Sequence, residues 1–447
     1  MKTASWDIVQ LGDVADDVTV GYVGPMATEY VPFGIPFLRS KNVLQYHISY
    51  EDIRYISPEF HERLKKSSLT PGDVVIVRTG KPGTTAVIPE SLPIANCSDV
   101  VIVRPGSKVN SRFLAYYFNV VATHHVDSHL VGAVQQHFNV ESARKLQIPL
   151  PPRREQDRIA HIAGDLDDKI ELNRRMNDTL EAMARALFQS WFIDFDPVHA
   201  KAAVRRDRPK WTNSQVSRSA LPDLTPEIAE LFPDSFEDSA LGPIPAGWRA
   251  TSVPEAIEVN PLRSLRKGAV APYLEMSNMP TRSARATAWE DRPFGSGTKF
   301  INGDTLVARI TPCLENGKTA YVDFLQDGRV GAGSTEYIVL RPKPPLPTTF
   351  AYYLARNEDF RQHLITNMTG TSGRQRAPAD CLNSYGLVVP PENIVVHFGV
   401  FTQRGFEQMK ANDEKSRELA AARDALLPRL LSGELPISVS HSPEGRP

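Results

Sequence analysis

Cysteine is scarce: Cys97, Cys313 and Cys381 are scattered through 447 residues with no CxxC spacing. That excludes a disulfide framework and a zinc knuckle, and it predicts a reducing, cytoplasmic setting. No run of about 18 apolar residues occurs, so no membrane span is expected. The opening residues hold no apolar signal core. Charge of one sign is missing too, because 51 Lys and Arg face 52 Asp and Glu, for a net charge of −1. A uniformly basic coat for nucleic acid is excluded; a local basic patch is not.

A hydrophobic fraction of 41% suffices for real cores, and 23% charged residues is ordinary, which rules out whole-chain disorder. The 36 prolines imply many loops and strand edges. At roughly 100–200 residues per domain, two to four domains are expected.

The chain repeats itself weakly but in order. Trp6 and Leu11 match Trp248 and Val253, Ile35–Leu38 matches Ala271–Leu274, and Gly72–Arg78 matches Gly303–Arg309. Further on, Asp99–Pro105 matches Glu336–Pro342, Ala115–Tyr117 matches Ala351–Tyr353, and Pro151-Pro152 matches Pro390-Pro391. The offsets drift only between 231 and 242 residues, as loop insertions would make them. Two copies of one unit follow, each about 190 residues long.

Each copy opens with short apolar runs bounded by turn residues. Val74–Val77, Val100–Val103, Leu306-Val307 and Tyr337–Leu340 read as strands, with short helices over Arg112–Val121 and Thr349–Arg356. Each copy closes with a long helix. After Pro152 the chain reaches Trp191 with no proline, and Ile159, Ile162, Leu166, Met176, Leu180, Met183 and Leu187 recur at heptad-like steps. The last segment repeats this with Phe398, Phe401, Leu419, Ala422 and Leu426. At an offset of 239, Asn173 falls on Asn412 within both stripes. A buried Asn in a coiled-coil seam fixes register at a cost in stability; the alternative is that each helix packs on its own globule with the Asn at the edge.

Catalytic signatures fail one by one. Gly317-Lys318-Thr319 looks like a nucleotide loop, but Pro312 stands where that loop needs Gly. Gly328–Gly333 is followed by Ser334-Thr335 rather than Lys. Asp196-Pro197-Val198 lacks the second Pro and the aromatic of an adenine-methyltransferase element. His125 and His129 could share a helix face, but no acidic third metal ligand is obvious beside them on that face. Two matched globules without a catalytic signature predict a binding protein facing a symmetric partner or two similar sites.

Other residues carry a family resemblance. Pro151–Ala160, Leu166–Asn177, Leu180–Phe188 and Trp191–Pro197 closely resemble the central region of type I restriction–modification specificity subunits. Leu231–Phe236 and Leu241–Trp248 resemble that family's entry to its second recognition domain, and Arg423–Leu435 the end of its distal helix. Two departures stand out. Pro391-Glu392-Asn393-Ile394 lacks the Glu-Gln of Glu155-Gln156, and Gly405 interrupts the distal segment, so an irregular start to that helix is expected; Ala250–Val253 copies Ile8–Leu11 poorly.

The resemblance implies an α+β fold: two mixed α/β target recognition domains separated by two long helices packed as an antiparallel coiled coil. The expected divisions are residues 1–150, recognition domain 1; 151–192, central helix; 193–247, linker; 248–389, recognition domain 2; 390–435, distal helix; and 436–447, flexible tail. It also implies a non-catalytic subunit that reads bipartite double-stranded DNA, one half-site per domain. Two modification and two restriction subunits would dock on it, bringing S-adenosylmethionine, ATP and Mg2+. No cofactor or metal is expected in this chain. Expected register and packing positions are Ile159, Leu166, Asn173, Leu180, Leu187, Asn412, Leu419 and Leu426. Asp165, Asp167, Asp168, Arg174, Arg175, Trp191 and Phe192 are candidates for subunit docking.

DNA contacts call for Arg, Lys and planar amides. The candidates are Arg78, Lys81, Gln135, Gln136 and His137 in the first copy, and Arg309, Lys318, Arg374, Gln375 and Arg376 in the second. Arg78 and Arg309 are open to a second reading as structural ion pairs. A helix over residues 154–191 would span about 57 Å, enough to set two half-sites about one turn of B-DNA (~34–36 Å) apart. The first domain is neutral, whereas Trp248–Val388 holds 17 basic and 13 acidic residues. A protein-bridging scaffold without DNA, or a reader fused to an unrecognised nuclease, remains the alternative.

Overall fold

The computed structural model describes residues 6–122, 138–371 and 373–435. The chain forms two compact units, Met1–Glu171 with Lys415–Pro447, and Leu172–Glu414.

The first unit is built on a four-stranded antiparallel sheet in the order Thr85–Val87, Val74–Val77, Val100–Pro105, Ala15–Val20. Its middle strands read as unbroken apolar runs because both faces are covered. Side chains alternate across a strand. Val74, Ile76, Val101 and Val103 face the helix Ser111–Tyr117 and share a core with Phe113 and Leu114. Val75, Val77, Val100 and Ile102 share the opposite core with Leu38, Leu69 and Cys97. Those last residues belong to a second sheet, ordered Tyr30–Val31, Arg54–Ile56, Ile35–Leu38, Ala95–Cys97, Ser68–Leu69. Within it, Ile35–Leu38 and Ala95–Cys97 run parallel.

The second unit repeats this plan. One sheet has the order Thr319–Tyr321, Thr305–Ala308, Tyr337–Pro342, Ile257–Val259, matching the first sheet strand for strand. The other runs Glu290–Pro293, Val270–Leu274, Gly331–Gly333, Thr298–Phe300. Its parallel pair is again the matched one, Val270–Leu274 with Gly331–Gly333. The repeated Gly-Asp is explained locally. Gly72 and Gly303 sit at φ of 91° and 87°, a backbone conformation that favours glycine. Asp73 and Asp304 then accept the backbone N–H three residues upstream, at 2.9 and 2.8 Å. Both copies turn into their central strand through the same Asx-type bond.

Two long helices complete the fold: the central helix Arg153–Phe188 and the distal helix Glu392–Leu431. In the second unit, positions rising along the central helix meet falling positions of the distal one. Asn173 Nδ2 donates to the Asn412 carbonyl at 3.4 Å, Asn177 Nδ2 to Asp413 Oδ1 at 2.8 Å, and Phe188 lies 5.9 Å from Phe398. The helices therefore pack antiparallel there. In the first unit, Ile159, Ala160 and Ala163 share a core with Leu427, Leu430 and Leu431, with Leu426 packed against it. Leu180 and Leu187 pack on the core of the second unit, while Leu166 and Leu419 are half-buried. Asn412 is 6% exposed, donates to Asn177 Oδ1 and accepts from Gln408.

The seam differs from the apolar stripe expected of it. Met176 and Met183 are 41% and 53% exposed, and Phe401 and Ala422 are exposed as well. The inward positions are Ile159, Ala163, Leu166, Ile170, Asn173, Asn177, Leu180 and Ala184, at alternating steps of four and three. Each Met lies one residue, about 100° of helix, away from a seam position filled by Asn177 or Ala184. The distal helix is unbroken from Glu392 through Gly405, so its expected irregular start is corrected.

Residues 193–247, read from sequence as a linker, fold. Helices cover Asp196–Asp207, Asn213–Ala220 and Pro226–Ala229, followed by the hairpin of Phe236–Ser239 with Gly242–Pro245. Val198 and Phe232 share the core of the second unit with Trp191, Phe192 and Trp248. Lys201 is fully enclosed; its ammonium donates to Asn213 Oδ1 at 2.8 Å and to the carbonyls of Ala229 and Phe232. Those bonds satisfy its three donors and tie the segment's first helix to its last. No helix among the described residues is long and apolar enough to cross a membrane.

Candidate nucleic-acid interface

In each unit the loop after the second strand of the four-stranded sheet meets a segment far along the chain. In the first, the Phe138 N–H donates to the Arg78 carbonyl at 3.4 Å, and Arg78 Nε donates to the Phe138 carbonyl at 3.2 Å. In the second, the Ala377 N–H donates to the Arg309 carbonyl at 2.8 Å. The neighbouring Thr311 N–H donates to the Gln375 carbonyl at 3.0 Å, and the Gln375 N–H returns to Thr311 Oγ1 at 2.9 Å. Arg78 and Arg309 are the matched residues of the repeat, so the same clasp is built twice.

The cations at these clasps differ in how far they are committed. Arg78 pairs with Asp99 at 3.5 Å, with 18% of its side chain exposed. Arg309 is half-buried, and its Nε has no hydrogen-bond partner among the described residues. Lys318 is anchored on the Met276 carbonyl. Arg376 sets Nε and Nη2 on Glu336 Oε1, each at 2.8 Å, while 43% of its side chain stays exposed. Lys81 and Arg374 are exposed, and Gln375 is half-buried. Gln135, Gln136 and His137 lie outside the described residues, as do His125 and His129. Backbone bonds thus join Arg309 to Ala377, the residue after Arg376, and Thr311 to Gln375, and they bring Arg78 to the residue that follows His137.

Sequence reasoning missed the acid at each clasp. Asp99 and Glu336 immediately precede the matched strands Val100–Pro105 and Tyr337–Pro342. Their alignment was visible in the repeat, but nothing in the sequence pointed them at an arginine. Trp191 and Phe192, offered above as docking residues, are 5% and 4% exposed and belong to the core. Asp167 is likewise engaged: it accepts the Tyr116 hydroxyl at 2.6 Å and pairs with Arg423. The matched tyrosine, Tyr352, donates to Glu181, which is buried and whose carboxyl burial pushes above its ordinary range. Among the described residues no group of three or more His, Cys, Asp or Glu is placed to hold a metal ion.

Comparison with known proteins gives this arrangement a class. Residues 4–182 match the family model described as the type I restriction modification DNA specificity domain. That match and the curated relatives support a specificity subunit of a type I restriction–modification system. It is 24% identical over 328 residues to the HindI specificity subunit of Haemophilus influenzae, covering 66% of this chain and 70% of that protein. It is 22% identical to the MjaIX specificity subunit of Methanocaldococcus jannaschii, over 96% of this chain and 93% of that one. Among solved structures, a type I S subunit from M. genitalium is 12% identical, aligns over 97% of each chain and has a TM-score of 0.47.

Proposed function

We propose that this chain is the non-catalytic, DNA-reading subunit of a type I restriction–modification complex. Each recognition domain reads one half of a bipartite double-stranded target, and the chain docks two modification and two restriction subunits. S-adenosylmethionine, ATP and Mg2+ belong to those partners, and the complex works in the cytoplasm. The observation that carries the reading is the doubled clasp: two domains with one strand order each tie an arginine-bearing loop, at Arg78 or Arg309, to a later segment, which in the second domain carries Arg374, Gln375 and Arg376. A base edge in the major groove is recognised by such groups, and phosphates by the surrounding cations.

The test is DNA binding as a function of salt, with and without modification subunits. Affinity should fall steeply with salt, because each phosphate contact releases counterions. Arg374→Ala should weaken binding and lower the salt slope by about 1, with complex assembly intact. Salt-independent binding, or none in the assembled complex, would favour a protein-bridging scaffold instead.

A further inference from the structure

The acids at the two clasps invite a specific role, which rests on the DNA reading just proposed. Asp99 and Glu336 occupy the same position in the two domains, directly before the matched central strand. Each is tied into its site by bonds other than its ion pair. The Asp99 residue sits at a φ of 53°, its carbonyl accepts Ser40 Oγ at 2.9 Å, and its Oδ2 accepts Thr79 Oγ1. The Glu336 N–H donates to Ser334 Oγ at 3.1 Å, and its carbonyl accepts the Arg309 N–H at 3.0 Å. Yet the arginine each carboxylate holds comes from a different segment. Asp99 takes Arg78 from the first loop, whereas Glu336 takes Arg376 from the second. Arg309, the match of Arg78, forms no ion pair among the described residues.

The acid is the fixed element and the arginine the variable one. A solvated surface pair requires no such constancy of place. A carboxylate on a phosphate-facing surface also weakens non-specific binding, because it repels the backbone. What it supplies is direction. It holds a planar guanidinium in one orientation, and a fork so held matches a base edge better than an arbitrary phosphate.

We infer that Asp99 and Glu336 are positioning residues for sequence reading: each orients the arginine of its own domain, Arg78 or Arg376, toward its half-site. The domains can thus read different sequences by changing which loop supplies the arginine while leaving the acid in place.

The experiment uses the full chain assembled with its modification subunits. Random-duplex selection first yields the preferred bipartite sequence; competition then compares it with duplexes substituted at single positions of either half. For Asp99→Asn, discrimination should drop at least fivefold in one half-site only, and for Glu336→Gln in the other half-site only. Arg376→Lys, which keeps the charge but loses the fork, should reproduce the Glu336→Gln pattern, and Glu336→Asp should restore part of the selectivity. Unchanged selectivity in both neutral variants, loss in both halves at once, or a fall in melting temperature without a change in selectivity would each overturn the inference. If the wild-type assembly shows no salt-dependent DNA binding, the DNA reading itself falls, and this inference with it.

Discussion

Gln156 offers the sharpest test of how the central helix is fastened to the first domain. It lies in the helix's first turn and is fully enclosed. Its Oε1 accepts the Asn110 N–H at 2.8 Å, while its Nε2 donates to the carbonyls of Lys108 and Pro151 at 3.1 and 2.8 Å. Gln156→Ala leaves one backbone donor and two backbone acceptors without that partner. Each such bond contributes about 1 kcal/mol net, and a buried group left unsatisfied costs about 1–3 kcal/mol. Water entering the space of the lost side chain would recover part of this. The expected loss is about 2–4 kcal/mol, which is roughly 30- to 1,000-fold in the opening equilibrium. Hydrogen exchange read on peptides spanning residues 108–117 and 147–160 measures this locally, which suits a chain of more than one cooperative unit. Exchange accelerated less than threefold would refute the role assigned to these three bonds. The aligned residue of the second helix is Val395, fully buried and unable to make them, so the missing Glu-Gln is a substitution of apolar packing for a polar tie.

Other outcomes follow from the same contacts. Leu430 is 3% exposed in the first unit's core, so Leu430→Ala should destabilise that unit by about 2–4 kcal/mol and leave exchange in the second unchanged. Asn412→Ala should cost about 1–3 kcal/mol, seen as a lower denaturant midpoint; a stabilised variant would show that the Asn cluster does not hold the seam. Burial raises the carboxyls of Glu181 and Asp323 above their ordinary values of 4.5 and 3.8, with arginines opposing. Such groups take up protons on folding, so the stability they affect falls as pH rises from the unfolded value through the raised one. Calorimetry in buffers of different ionisation heat should therefore find proton uptake on folding in the mildly acidic range, smaller in Glu181→Gln; equal uptake in both proteins would contradict this.

The strands were legible because central strands buried on both faces must read as apolar runs, as Val74–Val77 and Tyr337–Leu340 do. The duplication was legible because the turn before a central strand needs Gly and then Asp in both copies. The seam was legible only in part. Its polar members, Asn177, Thr402 and Arg423, are satisfied by partners that no periodicity reveals, and its small ones, Ala163 and Ala184, are outweighed by exposed neighbours such as Met183. Residues 193–247 looked like a linker because their few buried apolar residues, among them Val198, Phe232 and Ile244, stand far apart between charged stretches. The loops of the candidate interface could be named from matching positions. The ion pairs within them could not, because Arg376 and Glu336 are 40 residues apart and meet only in the folded chain.

The closing residues of the distal helix complete a core that begins with the first strands of the chain. On the ribosome this imposes a wait. Between the emergence of Ala163 and of Leu427, synthesis at about 5–20 residues per second takes roughly 13–53 s. Throughout that interval the core that holds Ile159, Ala160 and Ala163 lacks Leu427, Leu430 and Leu431. Completion of the first unit's core thus waits until the second unit has been made, and a chain stalled within that second unit would leave the first core without these leucines.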